Sequence, residues 1–136
     1  MCEINFYDAE RNLIMRFKDF KFSSTEALKR IIFNGEITIE FVHFETSFEA
    51  EEYDFQSLLS SLKKMNGREQ KYITFNPFSD KIILRLSEEL GQICVKVEIH
   101  NELSTLRLGF EYNIDQSFLH ELIDELEVLL KRGVKT

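Results

Sequence analysis

Histidine, cysteine and clustered carboxylates are the residue types in this chain that could do chemistry, but their spacing matches no zinc motif. His43, His100 and His120 are the three histidines, and no two are four residues apart, as the H-E-x-x-H motif requires. Cys2 and Cys94 cannot form a C-x-x-C motif. The spacing therefore predicts no metal site and no catalytic residue, unless folding brings the histidines together.

The densest group of carboxylates lies at residues 49 to 54, where three Glu and one Asp occur. A calcium loop of this density would need a glycine at its bend, and no glycine lies between Gly35 and Gly67. A glycoside-hydrolysing pair of carboxylates would normally be accompanied by a Trp platform, and the chain has no Trp. Glycine-rich nucleotide-binding motifs are absent as well. We therefore predict a protein without enzymatic activity and without a cofactor.

The acidic residues are segregated along the chain. Residues 31 to 62 contain seven acids and residues 108 to 130 contain six, and neither stretch contains Lys or Arg. The net charge of the whole chain is -7. Segregated charge creates a local field that selects partners and speeds their association. An acidic excess disfavours direct binding to nucleic acid, which requires clustered Lys and Arg, so a protein partner is predicted.

The first acidic stretch is the candidate partner-binding surface. A solvated sheet edge is the alternative interpretation, because charge on an edge strand also prevents aggregation. Solvated faces normally mix both signs of charge, and this stretch does not, which favours a contact surface. The predicted contact residues, chosen on charge alone, are Glu40, Glu45, Glu49, Glu51 and Glu52.

Alternation of apolar and polar residues over most of the chain predicts the elements that position these acids. The pattern indicates an α+β fold: an antiparallel meander sheet of about seven or eight strands, with two helices (about 54–66 and 115–131) packed on one face. Asn34-Gly35 is predicted to form a hairpin turn, and further turns are predicted at 76–80, 90–91 and 101–103. Asp54 and Asp115 are the predicted helix N-caps. His43 is in phase with Ile37 and Ile39 and is therefore expected to be half-buried.

Length and composition indicate one domain spanning residues 1–136. The N-terminus lacks the basic and apolar regions of a signal peptide, and no apolar run is long enough to cross a membrane. We therefore expect a cytoplasmic protein that does not associate with membranes, whose two cysteines are free. A monomer and a homodimer are both compatible with the sequence.

The last third of the chain resembles a known family. Gly91-Gln-Ile-Cys-Val-Lys-Val-Glu-Ile, Leu106-Arg-Leu-Gly-Phe-Glu-Tyr and Asp115-Gln-Ser-Phe-Leu, followed by Ile123 and Leu126, are similar to the WapI-type immunity proteins of bacteria. A related pattern, Asp54-Phe-Gln-Ser-Leu-Leu, opens the first predicted helix. The resemblance implies a non-catalytic protein that binds and neutralises a cognate polymorphic toxin domain. An acidic inhibitor would suit a basic toxin.

Two other functions remain open from the sequence. One is a housekeeping interaction or scaffold domain, with a homodimer formed through an open sheet edge. The other is an enzyme or small-ligand carrier with a pocket lined by some of the 13 Phe.

Overall fold

The computed structural model describes residues 2–24, 29–77, 81–101 and 105–134. Eight strands and two helices follow the alternation and the helical spacing of the apolar residues. In chain order they are β1 (Ile4–Tyr7), β2 (Leu13–Ser24), β3 (Lys29–Ile39), β4 (Val42–Glu51), α1 (Glu52–Asn66), β5 (Tyr72–Phe75), β6 (Ile82–Glu89), β7 (Gln92–His100), β8 (Arg107–Asp115) and α2 (Phe118–Val134).

The predicted α+β class, the antiparallel pairing and the two helices are confirmed, but the strands form two sheets rather than one meander. The first sheet has the order β1-β2-β3-β4 and the second has the order β5-β6-β7-β8. The division falls at α1, whose 15 residues carry the chain roughly 22 Å away from β4 before β5 begins. Alternation along the chain predicts which residues form strands, but it does not show where pairing between consecutive strands stops.

Phenylalanine rings fill the space between the two sheets and α1. Phe17 in the first sheet approaches Phe75 in the second, with ring centroids 6.4 Å apart. Phe55 of α1 contacts a ring of each sheet, 5.4 Å from Phe33 and 5.2 Å from Phe75. The buried apolar residues of both sheets and both helices form one hydrophobic cluster. The helices also pack on each other, α1 contacts both sheets, and α2 contacts β1.

Both helices begin a few residues away from the predicted positions. The first begins at Glu52, so Glu51 is the N-cap and Asp54 lies in the first turn, where its carboxylate accepts a hydrogen bond from the Glu51 N–H at 2.8 Å. The second begins at Phe118, and Asp115 instead ends β8. The Asp115 carboxylate accepts hydrogen bonds from the backbone N–H (2.8 Å) and the hydroxyl of Ser117, and these bonds lower its pKa. Each Asp therefore stabilises the entry to its helix without being the N-cap.

The prediction of a hairpin turn at Asn34-Gly35 is wrong. Both residues lie inside β3, where Asn34 pairs with Ser47 and Gly35 with Thr46. Gly35 is in this strand because the Phe48 ring occupies the space that a Cβ would need, with Phe48 Cδ2 only 3.1 Å from the ideal Cβ position. The β3–β4 turn is formed instead by Glu40 and Phe41, between the paired residues Ile39 and Val42.

The turn predicted at 90–91 is confirmed. Leu90 and Gly91 both have positive φ, 52° and 83°, between the paired residues Glu89 and Gln92. Positive φ at both central residues is the requirement of a type I′ hairpin turn. The turns predicted at 76–80 and 101–103 lie partly outside the described residues.

Candidate functional site

The five predicted contact residues lie along one edge of the first sheet, but they are not equally accessible. Phe48 and Ala50 of β4 are buried, so the alternate residues Glu45, Glu49 and Glu51 face away from the core. Glu40 is exposed in the β3–β4 turn. Glu52, the first residue of α1, is only 7 % exposed, with its carboxylate 3.8 Å from Lys29 Nζ. The fold therefore brings four of the five together on an accessible edge and buries the fifth.

Basic residues that are distant in the sequence return to this face through strand pairing. Arg16 and Lys18 of β2 lie beside Glu36 of β3, and the Lys18 Nζ is 3.1 Å from Glu36 and 3.5 Å from Glu45. Arg30 of β3 contacts Glu49 at 2.9 Å. The outer face of β2, β3 and β4 thus combines both signs of charge. The absence of a base from residues 31–62 does not predict a uniformly acidic surface.

Glu36, His43 and Glu45 form the one group in the described part of the chain whose donor atoms could bind a metal ion together, since these atoms lie within 4.8 Å of one another. Strand register produces the group, because Glu36 pairs with Glu45 and Thr38 pairs with His43. Lys18 already supplies positive charge between the two carboxylates, and its hydrogen bond to Glu36 raises the pKa of Lys18. His43 Nδ1 is 3.1 Å from Thr38 Oγ1. No spacing in the sequence indicates this group, because its members come together only through strand register.

The end of the β3–β4 hairpin adds apolar surface to the acidic edge. Phe41 is 100 % exposed and Val42 is 46 % exposed. His43 is also exposed, which corrects the expectation that it is half-buried. The two-residue turn breaks the alternation that placed His43 in phase with Ile37 and Ile39. We call Glu40, Phe41, Val42, His43 and Glu45 the hairpin patch. Sequence reasoning missed Phe41 because alternation assigned it to a strand.

The histidines and cysteines do not form a catalytic group in the described structure. His43 lies on β4, His100 at the end of β7 and His120 on the exposed side of α2, and only His43 belongs to a potential ligand group. Cys2 and Cys94 are both free, as expected. Burial raises the pKa of the Cys2 thiol, which disfavours its reactive thiolate form.

A family comparison decides what kind of protein carries this edge. The model of the WapI-like immunity protein family matches residues 5–132. The chain belongs to this family. No curated protein matches this WapI-like chain. A solved structure of the plant transcriptional regulator PBF-2 is similar in fold, with a TM-score of 0.54, 10 % sequence identity, and coverage of 98 % of this chain and 89 % of the other.

The second acidic stretch of the WapI-like chain has mainly structural contacts. Glu121 pairs with Arg11 at 2.8 Å, and the Arg11 guanidinium also lies over the rings of Tyr7 and Phe118. Glu127 pairs with Lys63 of α1 at 3.1 Å. These contacts connect α2 to the β1–β2 turn and to α1. None of the described helices is long and apolar enough to span a membrane.

Glu125 attaches the edge strand β1 to α2. Its carboxylate accepts hydrogen bonds from the Asn5 backbone N–H at 3.0 Å and from Asn5 Nδ2 at 2.7 Å. Partial burial raises the pKa of Glu125, and the nearby Glu121 and Glu3 act in the same direction, whereas the bonds from Asn5 oppose the rise. The carboxylate therefore satisfies a donor on the open side of a short edge strand at the cost of partial desolvation.

We expect Glu125→Gln to flatten the pH dependence of stability on the acidic side of neutrality. Because the folded pKa of Glu125 lies above the ordinary glutamate value of 4.5, folding favours the protonated carboxyl. The parent should therefore gain stability relative to the variant as pH falls through the folded pKa towards 4.5, and lose it as pH rises. Urea unfolding at a series of pH values measures this difference. Asp124→Asn, an exposed neighbour, is the control, and a pH-independent difference between parent and Glu125→Gln would contradict the expectation.

Seven phenylalanines of this family member pack against one another in the core: Phe6, Phe17, Phe20, Phe33, Phe48, Phe55 and Phe75. A cavity bordered by Tyr112, Phe118 and Leu122 has a volume of about 10 Å³, enough for one water molecule. Two larger depressions, of about 300 and 280 Å³, are shallow grooves on the surface. Small-molecule pockets usually enclose several hundred Å³ behind mostly apolar walls. The described structure therefore gives no support to a Phe-lined ligand site.

Proposed function

We propose that this protein neutralises a cognate polymorphic toxin domain by binding it, without catalysis, through the β4 edge and the β3–β4 turn. The observation that carries the proposal is the family match over residues 5–132. Immunity proteins of this kind act on protein partners and are generally non-catalytic. The proposed place of action is the bacterial cytoplasm, and the proposed unit is a single domain comprising the whole chain.

The proposed contact residues are Glu40, Glu45, Glu49 and Glu51, together with the exposed apolar end of the hairpin. Glu52 is left out because it is buried at the start of α1. Glu40 has no ion-pair partner among the described residues, and Glu45 is 40 % exposed and shares Lys18 with Glu36. These two acids are therefore the most available to a basic partner. Glu49 and Glu51 extend the same edge towards α1.

The proposed partner is a toxin domain whose contact surface is basic. Exposed charges at the rim of an interface mainly raise the association rate and penalise wrong partners, and contribute less to the lifetime of the complex. The partial neutralisation of this face by Lys18 and Arg30 limits its long-range field. The overall net charge of -7 adds to the attraction that the local acids exert on a basic partner.

We expect the double variant Glu40→Lys/Glu45→Lys to associate with the cognate toxin domain about tenfold more slowly at low salt, because attraction at the contact face becomes repulsion. Folding should be unaffected, since both residues are exposed and Lys18 keeps its 3.1 Å contact with Glu36. Surface plasmon resonance measures the rate, with candidate toxin domains taken from the C-termini of any large secreted proteins encoded beside this chain.

Glu69→Lys/Asp124→Lys is the matched control, because it makes the same change in net charge at exposed positions on other elements. Equal slowing in both double variants would assign the effect to total charge and remove the β4 edge from the proposal. A loss of the rate difference at high salt is expected for a screened electrostatic effect.

A further inference from the structure

We propose that Phe41 is the apolar anchor of the complex and inserts into a pocket on the toxin domain that is bordered by Lys or Arg. This inference rests on the proposed function and names the chemistry of the partner at the hairpin patch. It starts from the exposure of Phe41. Twelve of the 13 Phe lie in described segments, and every other one of these is buried or half-buried. Phe41 alone is 100 % exposed.

Folding does not require a phenylalanine at this position. Two-residue hairpin turns favour Gly, Asn and Asp, because these residues tolerate a left-handed backbone. The β3–β4 turn uses Glu40 in that conformation, with a φ of 49°, followed by the exposed ring of Phe41. Glu40 is therefore an unfavourable choice for its backbone conformation, and the Phe41 ring gains no burial from folding. Exposure alone does not distinguish Phe41 from Leu90 in the β6–β7 turn, but Phe41 adjoins exposed Val42, whereas no large exposed apolar residue of the described structure adjoins Leu90. A continuous exposed apolar surface at the β3–β4 turn points to a role outside folding.

The strands hold the backbone at Phe41 in a defined position. Pairing between β3 and β4 continues without a bulge from Arg30 and Glu51 to Ile39 and Val42, so the hairpin is regular up to the turn itself. An anchor that is ordered before binding loses less conformational freedom on association. Exposed Val42 extends the apolar surface next to the ring.

The residues around Phe41 specify the partner. Glu40 precedes the ring, and Glu45 and His43 follow it on the outer side of β4. Aromatic residues are enriched at the centres of interfaces, where they fill pockets, and the surrounding polar residues exclude water. An exposed aromatic ring that follows Glu40, at the end of a strand that carries Glu45, therefore matches an apolar pocket with basic residues at its border. The proposed toxin domain has a basic contact surface, which agrees with basic residues at the border of the pocket.

The test compares Phe41→Ala with Leu90→Ala in binding to the toxin domain that the parent chain is proposed to bind. Leu90 is the matched control, since it is also fully exposed in a two-residue hairpin turn, on the second sheet. We expect Phe41→Ala to weaken binding by at least about 30-fold, mainly through faster dissociation, as for a central interface residue. Leu90→Ala should bind like the parent.

The outcomes separate the anchor from the proposed function. Parent-like binding by Phe41→Ala would overturn the anchor and leave toxin binding in place. Equal weakening in the two variants would also overturn it, since the loss would not be specific to the β3–β4 turn. A parent chain that does not bind the toxin domain would overturn the proposed function, and the anchor with it.

Discussion

Replacing Phe55 by alanine should destabilise the protein by about 3–5 kcal/mol, a large share of the stability of an ordinary domain. Phe55 is fully buried on α1, and its ring contacts those of Phe20 and Phe33 in the first sheet and Phe75 in the second. Removal of this ring leaves a cavity where three elements meet. Thermal unfolding should show a decrease in Tm on the order of 10 °C.

Phe41→Ala is the control for this prediction, because it removes the same atoms from a fully exposed site. Its stability should change by less than about 0.5 kcal/mol. Phe55→Leu should lie between the parent and Phe55→Ala, since it retains part of the buried volume. Similar unfolding curves for Phe55→Ala and Phe41→Ala would contradict the packing described between the two sheets.

Gly35→Ala should destabilise the protein by about 1–3 kcal/mol. The added Cβ would overlap Phe48 Cε2 and lie 3.1 Å from Cδ2 of the same ring. Phe48 cannot easily move away, because its side chain is 1 % exposed and its ring lies 5.5 Å from that of Phe33. Urea unfolding of the variant and the parent measures the difference in the free energy of unfolding.

Gly109→Ala provides a matched control within a strand, because the nearest atom to its Cβ would be the Val97 carbonyl oxygen at 3.9 Å. This change should be neutral or slightly stabilising, since alanine restricts the unfolded chain. In a Phe48→Leu background, Gly35→Ala should cost less than in the parent, with a coupling energy of about 0.5–3 kcal/mol. Equal losses of stability from Gly35→Ala in the two backgrounds would show that the Phe48 ring is not what requires glycine at position 35.

The contrast between Asn34-Gly35 and Leu90-Gly91 shows what the sequence can predict about this fold. Both dipeptides suggest turns, because glycine tolerates positive φ. Gly91 uses that freedom, with a φ of 83°. Gly35 is needed for a different reason, because a Cβ at this position would collide with the Phe48 ring. The second reason depends on a residue of the next strand, so the local pattern cannot reveal it. Alternation and helical spacing, which are local patterns, predicted the α+β class and the two helices, but they did not predict the bounds of β3 and β4 or the first residue of α2.

The candidate site was predictable only in part for the same reason. The sequence shows that Glu45 and Glu49 are distant from any base along the chain, but antiparallel pairing places Lys18 and Arg30 beside them. Burial of Glu52 follows from its position at the junction of β4 and α1. The exposure of Phe41 depends on where the hairpin turns. Each of these properties is set by register, which one sequence specifies only through the packing of the whole fold.

The most direct test of the central claim is a titration of this protein into an activity assay of the proposed cognate toxin domain, at roughly 0.15 M ionic strength. We expect toxin activity to fall in proportion to the amount of protein added and to disappear once the toxin is saturated, with the same equivalence point in isothermal titration calorimetry. Full toxin activity in the presence of excess protein would contradict neutralisation. Complete inactivation by much less than one equivalent would contradict a non-catalytic mechanism.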